Sequence, residues 1–126
     1  MKTTNRRDFL RATAMLAAPL LLPASVFGRN APSNRINVGI IGCGNQSTVD
    51  LPAFLGHDDV QVMAVCDVNT ASYGYKDKKQ FLGRKPGQEK VNAYYASKAP
   101  SGQYQGCDAY NDFREMLQRS DIDAVF

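Results

Sequence analysis

The stretch RINVGIIGCG, residues 35–44, constrains the fold of this chain more than any other feature. From Ile36 to Ile41 it is apolar and largely β-branched, the composition of a parallel strand buried on both faces. The run leads straight into Gly42-Cys43-Gly44, and from there into a helical segment from about Ser47 to Leu55. That segment carries apolar Val49, Leu51, Ala53, Phe54 and Leu55, with Gly56 at its C-cap. A second apolar strand, Val60 to Val68, holds Asp67 near its C-terminal end. Strand, glycine turn, helix and strand within about 30 residues make up a mononucleotide-binding unit.

The residue types of the turn state its chemistry. Gly42 permits a tight turn that a Cβ would obstruct, and Gly44 lets the main chain come close to a pyrophosphate. The helix that follows presents free N–H groups and a partial positive charge, so an anion is favoured although the loop has no lysine. Asp67 stands 25 positions after Gly42, near the interval at which a carboxylate accepts the ribose hydroxyls of an adenosine. It would repel a 2′-phosphate, which favours NAD, with NADP the other candidate. Ser47 replaces the third glycine of G-x-G-x-x-G. It is small enough to let the helix pack near the strand. An ordinary strand-to-helix turn would also explain a lone Gly-x-Gly, but not the strand, helix and acid together.

The segment from Thr70 to Gln105 is too long for a simple crossover. It reads as two helices divided by Pro86-Gly87. Tyr73, Tyr75, Tyr94, Tyr95 and Tyr104 suggest a sugar-stacking platform, or more plainly a cover for the sheet. Lys76, Lys78, Lys79, Arg84 and Lys85 suggest a phosphate patch, or more plainly a solvated helix face. Beyond them, CDAY predicts a short third strand and NDFREMLQRSD a helix capped by Asn111, with Phe113, Met116 and Leu117 at helical spacing. IDAVF opens a fourth strand. The succession predicts an α/β fold with a doubly wound parallel sheet of Rossmann type, incomplete at the C-terminus because the last strand stops without a turn or partner.

The front of the chain has a different character. Asn5-Arg6-Arg7-Asp8-Phe9-Leu10-Arg11 precedes an apolar run, Ala12 to Val26, that is broken by Pro19 and Pro23. The run is shorter than the roughly 20 residues of a spanning helix. Residues 1–28 therefore read as an export signal with a cleavage site after Gly28, and the arginine pair resembles a twin-arginine signal with Asn5 in the usual Ser or Thr position. An ordinary secretory signal with a basic start is the alternative. Residues 29–34 read as a linker, and 35–126 as the N-terminal part of the dinucleotide-binding domain, the substrate domain lying outside the chain.

The net charge of +3 belongs to the signal, which holds four of the 15 basic and one of the 12 acidic residues, leaving the other 98 residues neutral. Nucleic acid is not an expected partner. Cys43, Cys66 and Cys107 form no Cys-x-x-Cys pair and have one histidine, His57, for company. No metal site is predicted. The thiols read as small buried groups, although Cys43 and Cys66 stand where neighbouring strands end and could approach each other. His57 reads as a surface loop residue.

RINVGIIGCGNQSTVDLPAF, VQVMAVCDVN and YNDFREMLQRSDIDAVF together resemble the N-terminal domain of the glucose-fructose oxidoreductase, inositol dehydrogenase and MocA family (Gfo/Idh/MocA). The most telling part is Asp-Ile-Asp-Ala-Val entering the fourth strand. The resemblance implies a nicotinamide-dependent oxidoreductase acting on a sugar, cyclitol or related polyol, and a homo-oligomer when full length. It places the cofactor on Gly42, Gly44 and Asp67, with Asn45, Gln46 and Ser47 completing the phosphate loop. The family's catalytic lysine, in a Glu-Lys-Pro stretch, and its downstream His or Asp have no counterpart up to Phe126. The catalytic residues are therefore unknown, and this piece alone is expected to be inactive.

Two other readings follow from the same resemblance. Some relatives use bound NAD to hydrolyse glycosides, so the whole protein could be an NAD-dependent glycoside hydrolase of the N-acetylgalactosaminidase kind. A non-catalytic dinucleotide-binding subunit is the third reading. An exported member of the family, periplasmic or beyond, would have to fold around its cofactor before leaving the cytoplasm, which the twin-arginine machinery allows.

Overall fold

The computed structural model describes residues 34–126. The expected signal and all of the expected linker but Asn34 lie outside the described residues. The elements in chain order are β1 (Ile36–Ile41), α1 (Ser47–Leu55), β2 (Val60–Cys66), β3 (Ser72–Tyr73), β4 (Phe81–Leu82), α2 (Arg84–Lys98), β5 (Asp108–Tyr110), α3 (Phe113–Met116) and β6 (Ala124–Val125). Four strands form a parallel sheet in the order β5-β2-β1-β6. The fold is α/β, with the strand order reversing at β1 as in a Rossmann-like sheet.

Sheet register explains how apolar runs without strict alternation cover two faces. Val38 pairs with Val62 and Gly39 with Ala64, so Met63 is an extra residue in β2. The bulge resets the alternation. Val62 and Val65 share one face with Val38 and Ile40, under Leu51 and Leu55 of α1 and Val91 of α2. Ala64 and Cys66 face the other way with Met116 of α3. Full burial of side chains such as Val62, Val65 and Val91 contributes about 1.5–3 kcal/mol each. Gly39 is the seat of Met116, since a Cβ there would stand 3.0 Å from the Met116 sulfur.

The crossover departs from expectation. Residues 72–82 form an antiparallel hairpin, Ser72 pairing with Leu82 and Tyr73 with Phe81, where a helix was predicted. Its lysine and tyrosine spacing is compatible with a helix, but the turn decides: Gly74 N–H donates to Gln80 O, and Asp77 accepts from Gln80 and Lys79. Gly83 then takes φ +127° and opens α2. Pro86 and Gly87 do not divide two helices but lie in the first turn of one. A proline there forfeits no helical hydrogen bond, and Gly87 packs under Cys43, whose sulfur would be 3.0 Å from a Cβ.

The tyrosines and bases divide accordingly. Tyr94 and Tyr95 pack on the core, and the Tyr95 hydroxyl accepts from Val62 N–H at 2.9 Å. Tyr104 packs against Tyr95 with its ring tilted, 5.0 Å between centroids. Tyr73 and Tyr75 stay exposed, so they do not cover the sheet. Lys76, Lys78 and Lys79 are exposed on the hairpin turn and not on a helix face. The last expected helix shrinks to α3, capped by Asp112 and not Asn111: the Asp112 carboxylate accepts from Arg114 N–H. Of its three apolar positions only Met116 is buried, while Phe113 and Leu117 stay exposed.

Candidate functional site

The C-terminal ends of β1 and β2 bring the predicted loop and acid together. Gly42 adopts φ +97°, the left-handed region that glycine enters without strain, and its N–H donates to Cys66 O at 2.8 Å. The turn therefore leaves β1 bound to the end of β2. Cys43 N–H donates to Asp67 Oδ2 at 2.7 Å, and Asn69 N–H to Asp67 Oδ1 at 2.8 Å. The acid is thus a brace for the glycine turn as well as a candidate ribose ligand. Each carboxylate oxygen still has a lone pair for a further donor.

After the turn, the amides of Gly44, Asn45, Gln46 and Ser47 have no acceptor among the described residues, while Thr48 N–H already bonds Asn45 O. The donors gather at the start of α1, where the helix dipole adds to them. A Cβ on Gly42 or Gly44 would meet nothing within 4 Å, so the backbone lies open to a close ligand. Ser47 turns its hydroxyl back onto Gly44 O at 2.7 Å, and Thr48 does the same to Asn45 O. These bonds hold the loop shape where the third glycine is missing. The residues fit a dinucleotide diphosphate: donor amides, an open backbone and an acid on the next strand.

Two hollows flank Gly42. One, about 350 Å³, is bounded by Gly44, Asn45, Ser47, Asp50, Tyr75 and Phe126. The other, about 190 Å³, lies between Ile41, Asp67, Val68, Asn111 and Phe113. Both open at the C-terminal edge beside β1, where the strand order reverses and such sheets bind ligands. A hollow of about 230 Å³ beside Arg35 and Tyr104 lies at the opposite end of the strands and belongs to no such edge.

Arg84 is a site-supporting residue that sequence reasoning set among the solvated bases. Its guanidinium donates to the carbonyls of Asp67 and Val68 and to Asn111 Oδ1, each at 3.1 Å. A cation at the first position of a helix opposes the helix dipole, which is the signal that it has acceptors elsewhere. Asn69, bonded to Asp67, carried no such signal.

The thiols supply no nucleophile here. All three are free and buried. Burial, with Asp67 next to it, pushes Cys43 up to about 12, and burial likewise pushes Cys107 up to about 12. Cys43 does approach the end of β2, its sulfur lying 3.8 Å from Cys66 O. His57 is exposed in the turn before β2. Among the described residues no group of three His, Cys, Asp or Glu could hold a metal ion, and no helix is long and apolar enough to cross a membrane.

The chain is similar to a glycosyl hydrolase family 109 protein of Stenotrophomonas maltophilia (strain K279a), with 34% identity over 74 residues. The similar segment is 59% of this chain and 16% of that protein, so the chain spans a small part of its relative. No protein-family model and no solved structure matches the chain.

Proposed function

We propose that this chain is the dinucleotide-binding part of an NAD-dependent glycosidase of the Gfo/Idh/MocA kind. The observation that supports dinucleotide binding is the row of unpaired amides from Gly44 to Ser47 beside an open glycine backbone. The similarity to a glycosyl hydrolase family 109 protein favours glycoside hydrolysis over net oxidation of a free sugar or polyol. Gly42 and Gly44 would admit the diphosphate, Asn45, Gln46 and Ser47 would donate to it, and Asp67 would accept ribose hydroxyls. A 2′-phosphate would meet the Asp67 carboxylate, hence NAD over NADP. When bound, the nicotinamide supplies a reversible hydride acceptor, so a sugar carbon can be oxidised and re-reduced within one turnover with no net consumption of cofactor.

The test uses the full-length protein that carries this chain. Nucleotide released on denaturation is identified by mass, and the native protein is given an aryl glycoside of N-acetylgalactosamine. Stoichiometric NAD, with aryl alcohol released and no net NADH, is the expected result. Net NADH formation from a free sugar or polyol would replace the glycosidase with an oxidoreductase. Bound NAD without either activity would leave a binding subunit.

Export completes the proposal. The Arg6-Arg7 pair before Phe9-Leu10 supports passage of the folded, cofactor-loaded protein by the twin-arginine route. Replacing both arginines with lysine is expected to keep the protein in the cytoplasm. Unchanged export would sink this route.

A further inference from the structure

We infer that the β3–β4 hairpin is a wall of the dinucleotide groove and that the Tyr75 ring packs on the bound dinucleotide and slows its release. This rests on the dinucleotide reading above. The hairpin is fastened to the loop that carries the unpaired amides. Gly83 N–H, at its far end, donates to Cys43 O at 3.0 Å. At its near end Gly74 lies directly on the loop, for a Cβ there would stand 2.9 Å from Asn45 Nδ2 and 2.9 Å from Leu82 Cδ1. The next residue, Tyr75, lines the same hollow as Gly42, Gly44 and Asn45.

Nothing in the folding of the domain accounts for that ring. Tyr75 is 81% exposed, and among the described residues its side chain has no hydrogen bond and no ring contact. The aromatic residue of the strand before it, β3, pairs within the hairpin, Tyr73 with Phe81 at 5.3 Å between centroids. Tyr94, Tyr95 and Tyr104 pack against one another, edge-on and tilted. An exposed aromatic face beside a row of donor amides gains buried area and stacking when a nucleotide fills the hollow, and must be uncovered again for it to leave.

Charge points the same way. The glycine loop has no cation, and the Asp50 carboxylate, held by Gln46 Nε2, lines the hollow. The hairpin turn sets Lys76, Lys78 and Lys79, all exposed, against a single carboxylate, Asp77, which accepts from Lys79 N–H. The turn that carries Tyr75 thus has a net positive charge, which favours the approach of an anionic ligand at longer range, the lysines themselves not lining the hollow.

The experiment loads the full-length protein with NAD and follows its release into excess competing nucleotide for the wild type, Tyr75→Ala and Tyr75→Phe. Thermal unfolding of the nucleotide-free forms checks that all three fold alike. Tyr75→Ala is expected to release NAD roughly tenfold faster, as the loss of one stacking contact predicts, and Tyr75→Phe to match the wild type. Equal release from Tyr75→Ala and the wild type would overturn the inference while leaving the dinucleotide site standing. A changed KM for the glycoside with unchanged release would overturn it too, and would place the ring on the sugar. A wild type that binds no dinucleotide would overturn the site reading itself.

Discussion

The Asp67 carboxylate accepts the Cys43 amide at 2.7 Å, so the acid that ends β2 holds the shape of the glycine turn that ends β1. A ligand acid and a loop brace are one residue. Replacing it acts on both. Asp67→Ala leaves the Cys43 and Asn69 amides without their acceptor, which is expected to destabilise the domain by about 1–2 kcal/mol. The same change is expected to weaken NAD binding and to narrow the preference for NAD over NADP. Denaturant unfolding and titration with both nucleotides measure the two effects separately.

The two loop glycines are expected to separate folding from binding. Gly42→Ala meets no neighbour within 4 Å but must hold φ +97°, at a cost of about 1–2 kcal/mol. Gly44 has no positive φ and equally open space around it. Gly44→Ala should therefore keep the melting temperature and lower NAD affinity by about tenfold or more, since its methyl would occupy the ligand's approach. Melting curves with and without NAD distinguish the pair. Loss of stability in Gly44→Ala would contradict the loop geometry.

Arg84→Ala removes a guanidinium that joins the end of β2 to Asn111 before α3. A loss of about 1–3 kcal/mol is expected, because hydrogen bonds to a charged group contribute that much. Arg84→Lys should recover much of it, since all three bonds leave one guanidinium nitrogen, Nη1, and an ammonium carries three donors on one nitrogen. Chemical denaturation of the three proteins decides the point.

The buried thiols make a pH prediction with a definite sign. Cys43 and Cys107 stand well above the ordinary value of 9.0, at about 12, so the folded state keeps them protonated where the unfolded chain ionises. Their contribution to stability is fully present below pH 9 and is lost as pH rises towards 12. Burial shifts Tyr95 and Tyr104 in the same direction. Stability measured against pH should fall across that window. At pH 8 a thiol-alkylating reagent should label the native domain slowly and the denatured chain rapidly; fast labelling of native protein would show that Cys43 and Cys107 are not held in the protonated form.

What the sequence by itself determined is the βαβ unit and its loop. Ile36–Ile41, Ser47–Leu55 and the apolar run from Val60 are bounded by glycines and by Asp67, so local periodicity and local turn chemistry suffice to place them. The glycine turn and Asp67 meet because parallel pairing of adjacent strands must bring their C-terminal ends together. Beyond Thr70 local signals stop being decisive. Tyr73, Tyr75 and the lysines between Tyr75 and Gln80 cover no core, so their spacing carries no record of a face, and a hairpin and a helix read alike. Pro86 breaks a helix or begins one according to where the chain before it is fastened, here by Gly83 to Cys43. Only the tertiary structure could show that Met63 is an extra residue in its strand, that Arg84 reaches back to Asp67, and that Tyr75 stands beside the amides of the loop. Each depends on hydrogen bonds or packing between residues distant in sequence, and such contacts leave no local period to read.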